Sequence, residues 1–500
     1  MNIWQQDWIA KWAVYSPKKI ALKDFETNVS LTYLELNRLG NKTAIYLTKE
    51  LKLSKGDRIA IVAENSVEQL ILFVAAQKTG IILVPINYRL TSSEIDYLFK
   101  VAEPKIIISD KSHLKTVQHT SYGKTNSTKL FSWEQLHTVF DKKQIDEDFD
   151  YFKITPVQED DPIFILFTSG TTGFPKGALY THKMLFWNSI NTAFSLVINT
   201  ETRTLNCMPL FHTGGWNVLI TPVLHHGGYL VLMRSFSAGA VLKLIEEEKL
   251  TIYMGVPTML KMMVEESAFE QTDYSSILYF IVGGEAMPIP LIEKWNEKGV
   301  AIRQGYGLTE VGPNLTSLHQ KDAIRKKGSI GRPNFYVQIK IVDKETCEVS
   351  KCGELLLRGP MVTPGYWKDK TATKEAIKDG WFHTGDVVET DEQDYLYVVD
   401  RYKNMYISGG ENVYPAEVER VLCKHPAIIE AAVVSIKDNK WGEVGKAFIV
   451  SNSKLSENEI LAFCKEHLAK FKIPKQILFL KELPKNDTGK VNRIILKNIN

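Results

Sequence analysis

Apolar residues in the first third of the chain fall into short runs separated by spaced stripes. Arg58-Ile59-Ala60-Ile61-Val62, Ile81-Ile82-Leu83-Val84-Pro85 and Lys105-Ile106-Ile107-Ile108-Ser109 are runs of strand length, as expected of strands buried on both faces. Val67 to Lys78 has helical spacing, with Leu70, Phe73 and Val74 on one face. Ser92 to Val101 predicts a helix opened by a capping-type serine, with Ser93 followed by Glu94 in the first turn. This alternation predicts helices layered over buried strands. His113 to Asp161 is polar and weakly periodic, and predicts a surface excursion before the next apolar run, Ile163-Phe164-Ile165-Leu166-Phe167.

From Gly331 to Val399 the pattern shifts to short strands and turns, such as Gly353-Glu354-Leu355-Leu356-Leu357-Arg358, and predicts a β-rich subdomain. Beyond Asp400-Arg401-Tyr402-Lys403 it predicts a small α+β module. That module has helices over 416–424 and 457–469 and strands over 431–434 and 446–450. The expected fold class is α/β. Residues 1–400 form a large N-terminal domain of layered α/β subdomains plus the β-rich subdomain, and residues 401–500 form a small C-terminal domain.

Composition adds bounds. The chain has 500 residues and is 44% hydrophobic, enough for a substantial core and more than one domain. A net charge of +3 argues against a nucleic-acid partner. Residues 401–500 carry 17 basic and 11 acidic side chains, a net of +6, which leaves −3 (44 against 47) on the rest. A basic C-terminal module suits a lid meeting anionic ligands; a solvated lysine-rich surface has the same signature. The five cysteines form no CxxC pair and no zinc spacing, which predicts reduced thiols in a reducing compartment. The N-terminus lacks the basic and apolar regions of a signal peptide. The most hydrophobic stretch, Leu70 to Ile86, is broken by Gln77, Lys78 and Gly80, too short and polar to span a bilayer. A cytoplasmic protein is expected; weak peripheral membrane contact and a homodimer are left open.

Candidate chemistry concentrates in Thr168-Ser169-Gly170-Thr171-Thr172-Gly173-Phe174-Pro175-Lys176-Gly177. Its glycines let the backbone present successive N–H groups, and hydroxyls and an ammonium sit among them, a set suited to a polyphosphate. It is not a Walker A loop, because Pro175 precedes the lysine and Gly177 follows it. Ser/Thr/Gly clusters also occur as plain surface loops. Downstream come Gln304-Gly305-Tyr306-Gly307-Leu308-Thr309-Glu310, Thr384-Gly385-Asp386, Asp400-Arg401-Tyr402-Lys403, Ser408-Gly409-Gly410-Glu411-Asn412 and Pro484-Lys485-Asn486-Asp487-Thr488-Gly489-Lys490.

In this order, and over about Trp4 to Arg493, the motifs resemble the adenylate-forming, AMP-binding superfamily of acyl-CoA synthetases, aryl-CoA ligases, luciferases and peptide-synthetase adenylation domains. The resemblance implies that Thr168, Ser169, Gly170, Thr171, Thr172 and Lys176 hold the β- and γ-phosphates of ATP. It implies that Glu310 binds Mg²⁺ and that Thr309 touches the α-phosphate. Gly283-Gly284-Glu285 and Tyr306 match the adenine site, Asp386 the ribose hydroxyls, and Arg401 a second ribose or phosphate contact. Lys490 matches the catalytic lysine that stabilises charge as the adenylate forms. Gly409, Gly410 and Glu411 match the border of the pantetheine channel for the co-substrate CoA. His212, in Pro209-Leu210-Phe211-His212-Thr213-Gly214-Gly215-Trp216, matches a residue close to the substrate carboxylate; a core histidine is the other reading. Trp216 reads equally as a gate on the acyl tunnel or as core.

Three positions depart from the family. Asp394 stands where a turn glycine is common, and Tyr402 and Asn404 replace charged residues around the hinge. Lys403 matches the family's pivot. Lys490 serves the first step and the CoA thiol must reach the same carbonyl in the second, so the C-terminal domain is expected to be mobile. The resemblance implies an ATP-dependent acyl-CoA synthetase acting on a small-molecule carboxylic acid, with a medium- or long-chain fatty acid preferred. An aryl-acid CoA ligase of the benzoate, cinnamate or o-succinylbenzoate type is the alternative. Less favoured are a carrier-protein-loading enzyme and a non-catalytic nucleotide-binding regulator.

Overall fold

The computed structural model describes residues 6–125, 128–168, 175–343, 346–402, 404–408, 411–486 and 489–499. The chain divides by packing into two compact units. One comprises Met1–Gln338 and Leu357–Phe382, the other Ile339–Leu356 and His383–Asn500. The chain passes between them within the strands Gln338–Val342, Cys352–Arg358 and Trp381–Thr390.

The first unit is α/β. A six-stranded sheet runs in the order Lys129–Ser132, Ile106–Ser109, Arg58–Val62, Ile82–Ile86, Pro162–Thr168 and Lys176–Thr181. All neighbours are parallel except the last pair, an antiparallel hairpin. Successive side chains alternate between its faces. Ile59, Ile61 and Phe164 enter one core with the helices, whereas Ala60, Val62 and Ile165 pack in another with Ile95, Leu98 and Phe99 of the helix Ser92–Ala102. A second sheet (Ser30–Thr32, Ile20–Asp24, Tyr229–Leu232, Arg203–Asn206) behaves likewise: Leu230 and Leu232 join the first core, Tyr229 and Val231 a third. A third sheet begins with the parallel strands Ile252–Gly255, Tyr279–Val282 and Ile302–Tyr306.

Several elements differ from expectation. The helix Val67–Thr79 is buried on nearly every side rather than along one stripe. It packs so closely on the helix Tyr33–Ile45 that a Cβ on Gly40 would stand 2.4 Å from Val74 Cγ1. Lys78, fully buried, pairs with Asp7 at 2.5 Å and donates to Asn37 Oδ1 at 2.8 Å. The cap of the next helix is Thr91, not a serine: its hydroxyl accepts from Glu94 N–H while Glu94 accepts from Thr91 N–H, a capping box. The polar stretch after His113 includes the edge strand Lys129–Ser132, which pairing rather than periodicity creates. The β-rich region contains one unforeseen helix, Lys370–Ala376.

In the second unit the strands Ile428–Asp438 and Gly442–Ser451 form a long antiparallel pair, each extending well beyond the expected runs. Val433, Ala447 and Ile449 face the helices Pro415–Leu422 and Glu457–His467, whereas Ala432, Val434 and Phe448 pack with Leu483 and Leu496. Asp394 has φ 60°. Its turn is held by Asp391 Oδ1, which accepts from the N–H groups of Gln393 (2.9 Å) and Tyr395 (3.0 Å). Asp tolerates this conformation better than most residues, so the departure from glycine leaves the turn intact. All five cysteines are free thiols. Among the described residues no helix is long and apolar enough to cross a membrane.

Burial makes one pH effect calculable. His182 opens the helix His182–Leu196, is 2% exposed, and burial lowers its pKa to about 4. Protons therefore bind the unfolded chain better: the stability contributed by the neutral ring is complete above the unfolded pKa of 6.5 and is lost as pH falls toward 4. Between pH 7 and pH 5 this one group costs about 2 kcal/mol. Urea midpoints measured across that range should fall less steeply in His182→Gln than in the wild type; equal slopes would refute the assignment.

Candidate active site

The hairpin Pro162–Thr168/Lys176–Thr181 carries the glycine-rich loop between its strands, and register sets Thr168 opposite Lys176. Ser169, Gly170, Thr171 and Thr172 lie outside the described residues. The segment 363–367 runs beside this hairpin: Leu179 N–H donates to Gly365 O (3.1 Å), Trp367 N–H to Gly177 O (2.7 Å), and Thr363 Oγ1 to Leu179 O (2.7 Å). That pairing places the Tyr366 ring 5.5 Å from Lys176 Nζ.

Glu310 follows the strand Ile302–Tyr306 on the short turn Thr309–Val311. Its Oε1 accepts from Thr168 Oγ1 at 3.3 Å and from Tyr366 Oη at 3.0 Å, and its carbonyl accepts from Thr363 N–H at 2.7 Å. Burial, with the Glu310 carboxylate beside it, holds the Tyr366 phenol far above its ordinary pKa, so it stays a donor. Tyr366 escaped the sequence reading; its only signal there is the pair Tyr366-Trp367 after a glycine. The set Thr168, Glu310 and Tyr366 offers hard oxygen atoms with one carboxylate. That fits Mg²⁺, which takes one or two carboxylates and completes its shell with water and substrate phosphate.

Gly283, Gly284 and Glu285 follow the strand Tyr279–Val282, and Val282 pairs with Gln304, so this loop lies beside Gly305 and Tyr306. Gly284 has φ 85°, and a Cβ on Gly283 would stand 3.6 Å from Gly305 O. An open, glycine-lined ledge at the carboxyl ends of parallel strands is where ligands bind in such sheets. Thr309, Tyr306 and Glu310 are all half-buried here.

His212 precedes the short helix Thr213–Asn217 and is half-buried against the Phe211 ring, 4.5 Å away. A Cβ on Gly214 would meet only Met254 Cε, at 4.0 Å. Trp216 is fully buried, packs at a tilt against the rings of Phe73 (5.6 Å) and Phe164 (5.1 Å), and donates from Nε1 to Leu210 O at 2.6 Å. It belongs to the core.

In the second unit Asp386 and Arg401 are opposed on neighbouring strands, and Arg401 Nε donates to Asp386 Oδ1 at 2.6 Å. Asp386 is buried while Arg401 keeps 42% of its side chain exposed, so the pair presents its guanidinium outward. Asp400 was read only as a boundary marker. It accepts from Arg401 N–H (2.6 Å), Asn404 Nδ2 (3.0 Å) and Ala416 N–H (2.7 Å), and so ties Arg401 and Asn404 to a helix start. Lys403, Gly409 and Gly410 lie outside the described residues; Glu411 is exposed. Lys490 is exposed in a tight turn: Asn486 N–H donates to Lys490 O (2.7 Å), Lys490 N–H to Asn486 Oδ1 (2.9 Å), and Gly489 has φ 86°.

Truncating Trp216 to alanine should cost about 3–5 kcal/mol of stability and leave the order of preference among acyl chain lengths unchanged. Thermal melts together with a chain-length series check this. A shifted preference at full stability would restore the gate.

Residues 9–367 match the AMP-binding enzyme family and residues 417–490 match the AMP-binding enzyme C-terminal domain. A feruloyl-CoA synthase from Amycolatopsis sp is 35% identical over 488 residues, 97% of this chain and 96% of its own. The long-chain-fatty-acid–CoA ligase FadD13 of Mycobacterium tuberculosis is 35% identical over 493 residues, again 97% of this chain and 96% of its own. The o-succinylbenzoate coenzyme A synthetase MenE of Bacillus subtilis, solved with ATP and magnesium ion, has a TM-score of 0.86 at 32% identity, covering 98% of this chain and 99% of that one. With near-complete coverage in each case, and with Thr168 and the acidic motif joined at Glu310, the chain belongs to the AMP-binding enzymes, as an AMP-forming acyl-CoA synthetase that uses ATP, Mg²⁺ and CoA.

Proposed function

We propose that this synthetase activates a medium- or long-chain fatty acid, with the residues named above in the following roles. A carboxylate is a poor electrophile, and coupling it to AMP provides both a neutral carbonyl and a leaving group. A carboxylate oxygen attacks the α-phosphorus of ATP, the bond to the β-phosphate oxygen breaks, and pyrophosphate leaves. The CoA sulfur then attacks the carbonyl carbon, its proton is lost, and AMP leaves.

Thr168, Ser169, Gly170, Thr171, Thr172 and Lys176 cradle the β- and γ-phosphates, donating where charge builds on the leaving group. Glu310 holds Mg²⁺, which when bound neutralises phosphate charge. The observation that carries this reading is the meeting of the Thr168 and Tyr366 hydroxyls on Glu310 Oε1. Thr309 contacts the α-phosphate; Gly283, Gly284, Glu285 and Tyr306 form the purine ledge. Asp386 accepts from the ribose hydroxyls, oriented by Arg401. His212 lies by the substrate carboxylate, and the apolar surroundings of Gly214 and Met254 favour an alkyl chain beyond it. Lys490 stabilises charge in the first step. Residues 401–500 act as the moving domain, turning about Lys403 so that Gly409, Gly410 and Glu411 border the path of CoA in the second. The five free thiols support a cytoplasmic location.

The equal identity to an aryl-acid and a fatty-acid ligase keeps the aryl reading as the alternative. Pyrophosphate release with a carboxylic-acid panel separates them. Octanoate to palmitate should exceed ferulate, benzoate and o-succinylbenzoate by ~10-fold or more in kcat/KM, equivalent to one or two methylenes of pocket discrimination; the reverse order would establish the aryl ligase.

The two-step reading predicts opposite defects. Lys490→Ala should lose ~10²- to 10³-fold in acyl-adenylate formation and largely retain thioester formation from supplied acyl-adenylate. Lys403→Pro, which locks φ and removes a donor, should retain pyrophosphate exchange and lose thioester formation. Acyl-CoA production by Lys403→Pro at the wild-type rate would rule out rotation about this residue.

A further inference from the structure

The turn that carries Lys490 is fastened at both ends to one region of its own unit. At the entry, Lys485 pairs with Glu430 at 2.9 Å, and Asn492 N–H closes the loop onto Pro484 O at 2.7 Å. At the exit, three residues past the lysine, Arg493 Nη2 donates to both oxygens of Glu419, at 2.7 and 2.8 Å. Glu419 stands on the helix Pro415–Leu422, and its Oε1 also accepts the N–H of Val433 (2.7 Å) on the edge strand Ile428–Asp438. One carboxylate thus ties together a helix on one face of the sheet, the edge strand, and the helix Arg493–Lys497, whose Leu496 packs on the other face.

The two fastenings differ in kind. Lys485 and Glu430 each keep 32% of their side chains exposed, and such surface pairs contribute little. Glu419 is only 15% exposed, and burial raises its pKa although Arg493 opposes the rise. Removing one partner of a buried pair leaves a desolvated charge, whereas removing both is tolerated. Arg493 reaches both carboxylate oxygens through the single nitrogen Nη2, carried on a planar guanidinium whose rigidity a lysine would not reproduce.

We propose that Arg493 and Glu419 form a positioning clamp for Lys490, holding its turn in the orientation that adenylation needs; this rests on the catalytic reading of Lys490. Neither clamp residue touches substrate. Misplacement of a catalytic group by about 1 Å costs on the order of 10²-fold in rate, so the clamp acts on the first half-reaction and not the second.

The test uses the full-length enzyme, with adenylation read by pyrophosphate exchange and thioester formation read from supplied acyl-adenylate. Arg493→Met should lower the adenylation kcat ~10- to 100-fold, with KM for ATP and acid nearly unchanged, and Arg493→Lys should restore only part of it. The double variant Glu419→Gln/Arg493→Met removes the orphaned charge. It should recover melting temperature and thioester formation without recovering adenylation, which a purely structural role would not produce. Recovery of adenylation together with melting temperature, or equal loss of both half-reactions in the double variant, would overturn the clamp. Lys490→Ala is measured in parallel. If it adenylates normally, the catalytic assignment fails and the clamp with it; if it is inactive while Arg493→Met is normal, the clamp alone fails.

Discussion

The first unit depends on one convergence: three segments far apart in the chain must meet on the carboxylate of Glu310. Thr168 is 142 residues away and Tyr366 is 56 residues away, yet both hydroxyls lie on the same oxygen. Folding achieves this through parallel sheets. Parallel strands end on the same side, so loops leaving successive carboxyl ends gather at one edge whatever their order in the chain. The hairpin Pro162–Thr168/Lys176–Thr181, and the segment zipped beside it at 363–367, add Lys176 and the tyrosine. The result is a spare site, one carboxylate with neutral donors, which leaves room for the oxygens a polyphosphate brings.

Such a site needs a stiff support, and the core behind it is closely packed. The helix Val67–Thr79 lies buried among sheets and helices, with Gly40 admitting it to near contact. Lys78 at its end would be costly there alone; Asp7 and Asn37 absorb its charge and donors. Buried pairs of this kind add little net stability, but they penalise any register in which the partners miss each other. Trp216 contributes in the same way, filling the core between Phe73 and Phe164 just behind the segment that carries His212.

The second unit is built differently. Its main sheet buries a separate apolar cluster on each face, so it is a complete body with its own core. Its candidate site residues sit on strands and turns: Asp386 and Arg401 are paired across neighbouring strands, and Lys490 is in a turn whose backbone closes through Asn486. Hydrogen bonds to Asp400 tie Arg401 to the start of the helix Pro415–Leu422, and the Glu419–Arg493 ion pair anchors the chain just beyond Lys490.

The short apolar runs at 58–62 and 105–109, the α/β alternation and the ordered motifs were legible in the chain because each depends on neighbours within a few residues. Side-chain period, turn-forming glycines and proline, and the spacing of hydroxyls around a lysine are local properties. They determined the fold class and the family. Other features were decided only by tertiary contacts. Whether Val67–Thr79 shows one buried face or all of them depends on what covers it, and its sequence alone suits either. The strand Lys129–Ser132 exists because an open edge beside Ile106–Ser109 offers it hydrogen bonds. The fate of Trp216, and the roles of Tyr366, Asp400 and the Glu419–Arg493 pair, rest on partners that are distant in the chain or on burial. Local pattern carries the information for local conformation, but a side chain's partner is fixed by the packing of whole elements, which no window of sequence contains.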